Sequence, residues 1–233
     1  MAKCWLYNNC NHKDCDKDFC LRRYKLNSLY DAALISDAQR KHITLYIDQD
    51  ATDLEEFRTL ADIEKNILSF VESGQNLYIH SSNCGNGKTS WSLRLVEAYM
   101  NRIWPGADLG CHALFISVPK FLASLKDNIS NRNEYAIYIR EQAINAELVV
   151  WDDIAAKSGS DYDMDQLLRL IDDRCANKKA NIFTSNLNAR EIETALGSRL
   201  ASRICRSSLD VEFHGADKRG FAAENNLGGE NDD

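Results

Sequence analysis

Short apolar runs alternate with longer stretches whose apolar residues recur every three to four positions through most of the chain. Runs of four to six apolar residues between turn residues read as buried strands, and the 3.6-residue period reads as amphipathic helix. The pattern predicts strands at 77–80, 113–118, 148–151 and 182–184. It predicts helices at 62–72, 88–102, 120–128, 133–145, 163–176, 189–195 and 198–205, with Gly74 closing the first of these. Upstream, 21–41 has helical spacing, with Leu26, Leu29, Tyr30 and Ala33 on one face; that face either docks a partner or packs on the core. Residues 43–60 fit neither period. Short apolar strands separated by helices predict an α/β fold with a parallel sheet flanked by helices on both faces.

Composition narrows the class. The chain has 233 residues, enough for one ordinary domain and a small appendage, and 44% of them are hydrophobic, enough for a core. No run of eighteen apolar residues exists, and the N-terminus lacks the apolar stretch of a signal peptide, so the expectation is a cytoplasmic protein with no membrane partner. The net charge of -7 argues against a surface held on duplex DNA by charge alone, while leaving room for a local basic groove. The segment from 220 to 233 is rich in Gly, Asn and acid and reads as a disordered tail.

The stretch "SSNCGNGKTS" (81–90) lies between the strand at 77–80 and the helix at 88–102. It matches the phosphate-loop pattern G-x-x-x-x-G-K-[ST] everywhere except its first position, where Ser82 stands for glycine. The chemistry needs small residues so that backbone N–H groups curl around phosphate oxygens. It also needs a lysine for the β- and γ-phosphates and a hydroxyl for Mg²⁺. Asn83, Cys84, Gly85, Asn86, Gly87, Lys88, Thr89 and Ser90 are therefore the candidate nucleotide-binding residues, with Gly85 and Gly87 supplying unusual backbone angles. Such a loop needs an acidic partner. "ELVVWDDIAA" (147–156) supplies it: an apolar strand ending in Asp152 and Asp153, which places carboxylates at the C-terminal edge of the sheet. Asp152 with Thr89 would hold Mg²⁺, and Asp153 would polarise the attacking water. Asn186, at the tip of the strand at 182–184, could touch the γ-phosphate or that water. Arg199 and Arg203 fall four apart on one helical face, where solvated surface charge is the plain alternative. Arg219 stands just before the tail.

The ordered set GNGKTS, ISVPKFL, LVVWDDI, LIDDRCANKK, FTSNLN, LGSRLASRI and GADKR resembles the DnaC/IstB branch of the AAA+ ATPases over about 75–219. That branch comprises replicative-helicase loaders and transposition helper ATPases. The resemblance implies a P-loop ATPase without a helical lid domain, binding ATP and Mg²⁺ and self-associating into a homo-oligomer. It implies Asn186 as sensor 1, Arg199 as an arginine finger acting on a neighbour's nucleotide and Arg219 as sensor 2. Ser82 and Asp153 depart from the family's glycine and glutamate, and Asp153 has one methylene less reach.

Cysteine usage adds an appendage. Of the eight cysteines, Cys4, Cys10, Cys15 and Cys20 follow C-x5-C-x4-C-x4-C in a polar segment, with His12 as a spare ligand. Four thiolates suit tetrahedral Zn²⁺, whose binding energy would order a segment too polar to build a core; free thiols on a floppy end are the alternative. Cys84 lies inside the phosphate loop and is open to oxidation. The resulting expectation is a zinc-binding, helicase-interacting module at 1–45, an AAA+ domain at 46–219 and an acidic tail at 220–233. The function expected is ATP-dependent loading of a replicative DNA helicase onto single-stranded DNA, with Lys120, Lys126 and Arg132 as candidate DNA contacts. Two alternatives stay open: a transposition helper ATPase, and a nucleotide-binding adaptor or inhibitor of a helicase that hydrolyses little.

Overall fold

A computed structural model describes residues 4–6, 10, 19–40, 52–130, 133–156 and 160–216, with only the backbone for 127–130. Five parallel strands form the sheet: β1 (Asn76–His80), β2 (Ala113–Ser117), β3 (Leu148–Asp152), β4 (Ala180–Ser185) and β5 (Ser208–Glu212). Their spatial order is β2-β3-β4-β1-β5. Because side chains alternate along a strand, each strand feeds two cores. Leu77 and Ile79 of β1, Phe115 of β2, Val150 of β3 and Ile182 of β4 face one side. There they meet α1 (Leu21–Ala32), α2 (Leu54–Lys65), α3 (Ile67–Glu72) and α4 (Lys88–Ile103). Tyr78, Leu114, Ile116, Val149, Trp151 and Phe183 face the other. They pack on α5 (Val118–Ser130), α6 (Glu134–Asn145), α7 (Asp161–Ala176), α8 (Ala189–Leu196) and α9 (Ser198–Ala201), which runs on into one π-helical turn at Ser202–Arg206.

Several expected boundaries move, each for a local reason. The helix expected over 62–72 is two helices, α2 and α3, broken at Asn66, whose amide donates to the Asp62 carbonyl (3.0 Å). The break lets Phe57 and Leu60 as well as Ile67 and Phe70 reach the same core. Gly74 closes α3 as expected: it sits at φ 65° while Gly74 N–H donates to Val71 and Gln75 N–H to Phe70. A Cβ there would lie 2.1 Å from the Lys178 carbonyl oxygen. The helix expected over 21–41 stops at Ala32, because Leu34 takes a left-handed conformation (φ 60°) and Ile35 N–H closes back on Tyr30. This stop has a use: the Ala33 carbonyl accepts from Phe115 N–H (2.9 Å) and covers the free edge of β2. The apolar face of α1 is thereby settled. Leu26, Leu29, Tyr30 and Ala33 are buried in the core rather than offered outward. Leu21 and Tyr24 on α1, and Phe19 just before it, are exposed.

Strand β5 falls where the sequence pattern predicts no element. It is an edge strand with only Val211 buried, so "SLDVE" reads as polar loop until its pairing with β1 is seen. No lid helix follows it among the described residues.

The candidate nucleotide site

Adjacent strands β1 and β4 send their onward connections in opposite directions, the first toward the β2 edge and the second toward the β5 edge. The helices that follow also cover opposite faces, α4 on one and α8 on the other. In open α/β sheets such a divergence leaves a crevice beyond the carboxyl ends of the strands, where ligands bind. The loop 81–87 fills that place.

The loop is tied down from within. Ser81 is fully buried; its hydroxyl accepts from Asn83 N–H (3.0 Å) and from the Asn86 amide. Gly85 (φ 73°) and Gly87 (φ 103°) take left-handed angles that a side chain would strain, and Gly87 leads directly into the first turn of α4. The Lys88 ammonium is buried and folded into the loop, donating to the Asn83 carbonyl (2.9 Å) and Asn86 Oδ1 (3.2 Å). Two neutral oxygens hold this cation where anionic phosphate oxygens would hold it more strongly. Cys84 is exposed and a free thiol.

Facing the loop is the end of β3. Asp152 is buried, and a single oxygen, Oδ1, accepts from both the Thr89 hydroxyl (2.9 Å) and the Thr184 hydroxyl (2.8 Å). Burial raises its pKa above the ordinary 3.8, and the neighbouring Asp153 adds to the rise; the two hydroxyls and Lys88 oppose it without winning. A buried carboxylate beside a hydroxyl, short of compensating charge, is the donor chemistry that Mg²⁺ takes. Asp153 turns out of the strand at φ 56°, a costly angle for a non-glycine residue, held by its N–H on Thr184 Oγ1 (2.9 Å). Thr184 thus orients both aspartates. The sequence carries no signal for it: a threonine in a strand reads as β-propensity, and only the pairing of β3 with β4 brings it to Asp152. Asn186 is exposed just beyond β4, next to Ser185, whose hydroxyl donates to the Ile154 carbonyl (2.8 Å).

The arginines of the last helices lie apart from this network. Arg203 Nε donates to Asp172 Oδ1 (2.5 Å), while Arg199, 80% exposed in its side chain, reaches the same carboxylate only at 3.8 Å. Of the two, Arg199 is the more open to an outside partner. Lys120 sits over the Tyr135 ring (4.3 Å) and Lys126 stands 3.9 Å from Asp163, so both candidate DNA contacts have intramolecular company. Arg132 and Arg219 lie outside the described residues. So do Cys15 and His12. Cys4, Cys10 and Cys20 are half-buried, and among the described residues no group of three or more His, Cys, Asp or Glu is gathered for a metal.

The "LIDDRCANKK" stretch has a structural role. Arg174 is fully buried, and its guanidinium donates to the carbonyls of Ala143, Ala146 (2.8 Å), Glu147 (3.4 Å) and Ala180, and to Asn181 Oδ1 (2.6 Å). Asn181 also accepts from Trp151 Nε1 (3.0 Å) and donates to Asn76 (2.9 Å). This polar knot joins α6, α7 and three strands at the end of the sheet opposite the phosphate loop.

No protein-family model matches the chain. Among curated proteins, the replicative helicase loader DnaC of Escherichia coli strain K12 is 25% identical over 154 residues, which is 66% of this chain and 57% of DnaC. The chain therefore spans little more than half the length of that relative. Among solved structures, the DnaC helicase loader superposes with a TM-score of 0.59 at 18% identity, covering 79% of this chain and 98% of the other. The chain has a DnaC-like fold. A replication initiator DnaA bound to AMPPCP and single-stranded DNA is also similar, with a TM-score of 0.58 at 16% identity over 78% of this chain and 52% of that one. No helix among the described residues is long and apolar enough to cross a membrane.

Proposed function

We propose that the protein is an ATP-dependent loader that delivers a replicative DNA helicase to single-stranded DNA in the cytoplasm. The observation that carries this reading is the Asp152–Thr89–Thr184 cluster facing Lys88, set in a DnaC-like fold. Mg²⁺ bound there would neutralise part of the charge on the nucleotide's phosphates. In this reading the backbone N–H groups of 83–89 bind the phosphates and Lys88 leaves its carbonyl partners to pair with them. Thr89 and Asp152 hold the metal, and Asp153 accepts a hydrogen bond from the attacking water. Asn186 and Arg219 would sense the γ-phosphate from the same subunit, and Arg199 would reach it from a neighbouring subunit of a homo-oligomer. The polar end with Cys4, Cys10, Cys15 and Cys20 would take one Zn²⁺ and, with the outward side of α1, grip the helicase.

A helicase-loading assay tests the whole reading: single-stranded DNA coated with binding protein, a candidate replicative helicase, and strand separation as readout. Wild-type protein with ATP should stimulate unwinding, and Lys88→Ala should not. One feature favours a second reading, an adaptor or inhibitor with little turnover. Asp153 is short and its turn is backbone-locked, which limits its reach toward a water. Helicase inhibited by the protein, with nucleotide bound but turned over no faster in the presence of helicase and DNA, would select it.

A further inference from the structure

Asp53 stands at the N-cap position of α2, where an aspartate ordinarily accepts hydrogen bonds from the helix's own first turn, yet its side chain makes no such bond. Instead the carboxylate, 1% exposed, reaches a segment 161 residues further along the chain. Oδ1 accepts from His214 N–H (2.6 Å) and Gly215 N–H (3.1 Å), and Oδ2 accepts from Gly215 N–H (3.0 Å). The fit leaves no room for a side chain at 215: a Cβ would lie 2.6 Å from Asp53 Oδ2. Once their N–H groups are fixed, the carbonyls of His214 and Gly215 point to the phosphate loop. Both accept from the Asn83 side-chain amide (3.2 Å each). Asn83 in turn offers its own carbonyl to Lys88 (2.9 Å).

We infer that Asp53 is a positioning residue for the nucleotide site, acting through 214–215 on Asn83 and so on the first half of the phosphate loop. The inference rests on the nucleotide-binding reading above and adds to it a residue outside every motif that marks the site. A loop ordered before the ligand arrives loses less freedom on binding, so the contribution appears in affinity. Once phosphates fill the loop they order it themselves, and turnover at saturation is unaffected. The loop lacks its usual first glycine, and the Ser81 and Asn83 side chains brace its start. Loss of the Asp53 brace therefore leaves Asn83 to its contacts within the loop, its N–H on Ser81 and its carbonyl on Lys88.

The experiment measures the Kd of a fluorescent ATP analogue with Mg²⁺, together with KM and kcat, on full-length protein. The variants are Asp53→Ala, Asp53→Asn, Gly215→Ala, Asn83→Ala and the double variant Asp53→Ala/Asn83→Ala. Circular-dichroism melts identify which of them are folded, and only folded variants are scored. Asp53→Ala and Asn83→Ala should each weaken binding about tenfold and raise KM alike, and Asp53→Ala should keep kcat within twofold of wild type. The double variant should be no weaker than either single one, because both cut the same chain of contacts. Asp53→Asn keeps Oδ1 and should recover part of the loss; Gly215→Ala should reproduce the loss without touching the carboxylate. Multiplying losses in the double variant, or wild-type affinity in folded Asp53→Ala, Asp53→Asn or Gly215→Ala, overturns the inference alone, provided Lys88→Ala abolishes binding. Wild-type protein that binds no nucleotide overturns the site reading and this inference with it.

Discussion

Asp152→Asn should make the free protein more stable and the nucleotide-loaded protein less so. Asparagine keeps the volume and an oxygen that can accept from Thr89 and Thr184, so the substitution removes charge and little else. Two effects then compete. Hydrogen bonds to a charged acceptor are worth about 1 kcal/mol more each than neutral ones, which favours the wild type. Burial and the adjacent Asp153 penalise the ionised carboxylate, which favours the variant. The raised pKa of Asp152 shows that the penalty exceeds the gain, because the hydroxyl bonds and Lys88 are already counted against it. A net stabilisation is expected at neutral pH, and each 1 kcal/mol of it appears as roughly 2–4 °C in Tm for a chain this size. The sign depends on pH. An acid whose folded pKa lies above its ordinary 3.8 binds its proton more tightly when folded. The wild-type penalty is therefore absent below that ordinary value, grows as pH rises through the raised one, and is complete above it. The gap between the two proteins should narrow toward acid. Magnesium nucleotide reverses the order. A ligand at a hundred times its Kd adds about 2.7 kcal/mol to the protein that binds it. The wild type should then rise by roughly 5–10 °C while the variant stays put. Differential scanning fluorimetry at pH 5 to 8, with chelator and with Mg²⁺-ATP, reads both effects. A variant that melts below wild type in chelator, or that gains as much as wild type from the nucleotide, would refute the assignment of Asp152 as a buried metal ligand.

Arg174→Met should cost about 3–5 kcal/mol in urea denaturation, because several buried carbonyls lose their donor together; a loss under about 1 kcal/mol would show that the knot is dispensable. Arg199→Ala should bind ATP normally and hydrolyse it poorly. Mixed with Lys88→Ala it should regain part of the activity, since one kind of interface then pairs an intact loop with an intact arginine. Full helicase- and DNA-stimulated turnover by Arg199→Ala alone would end that role. Protein purified without chelator should carry about one equivalent of zinc by elemental analysis, and its loss should leave the α/β domain's melt intact; metal-free protein with its four N-terminal thiols unreactive would count against the zinc module.

What the sequence alone determined is whatever depends on local spacing. Apolar runs bounded by turn residues placed four of the five strands, and the helical period placed most of the helices. The pattern around Gly85, Gly87, Lys88 and Thr89 marked the candidate phosphate loop, and an apolar strand ending in Asp152 marked its proposed acidic partner. These signals are legible because each is complete within about ten residues. The tertiary structure decided the rest. Strand β5 buries one side chain, so no periodicity announces it, and it becomes a strand only by pairing with β1. The apolar face of α1 has the same spacing whether it docks a partner or fills a core; its burial against α4 and β2 chose the core. Thr184 and Asp53 carry no motif, and Asn83 fills a position of the loop pattern that any residue may take. They matter through partners 32, 161 and 131 residues away, Asp152, His214 and the His214 carbonyl. A hydrogen bond across such a span is set by how the sheet orders its strands, and strand order is a property of the packed chain that no window of sequence contains.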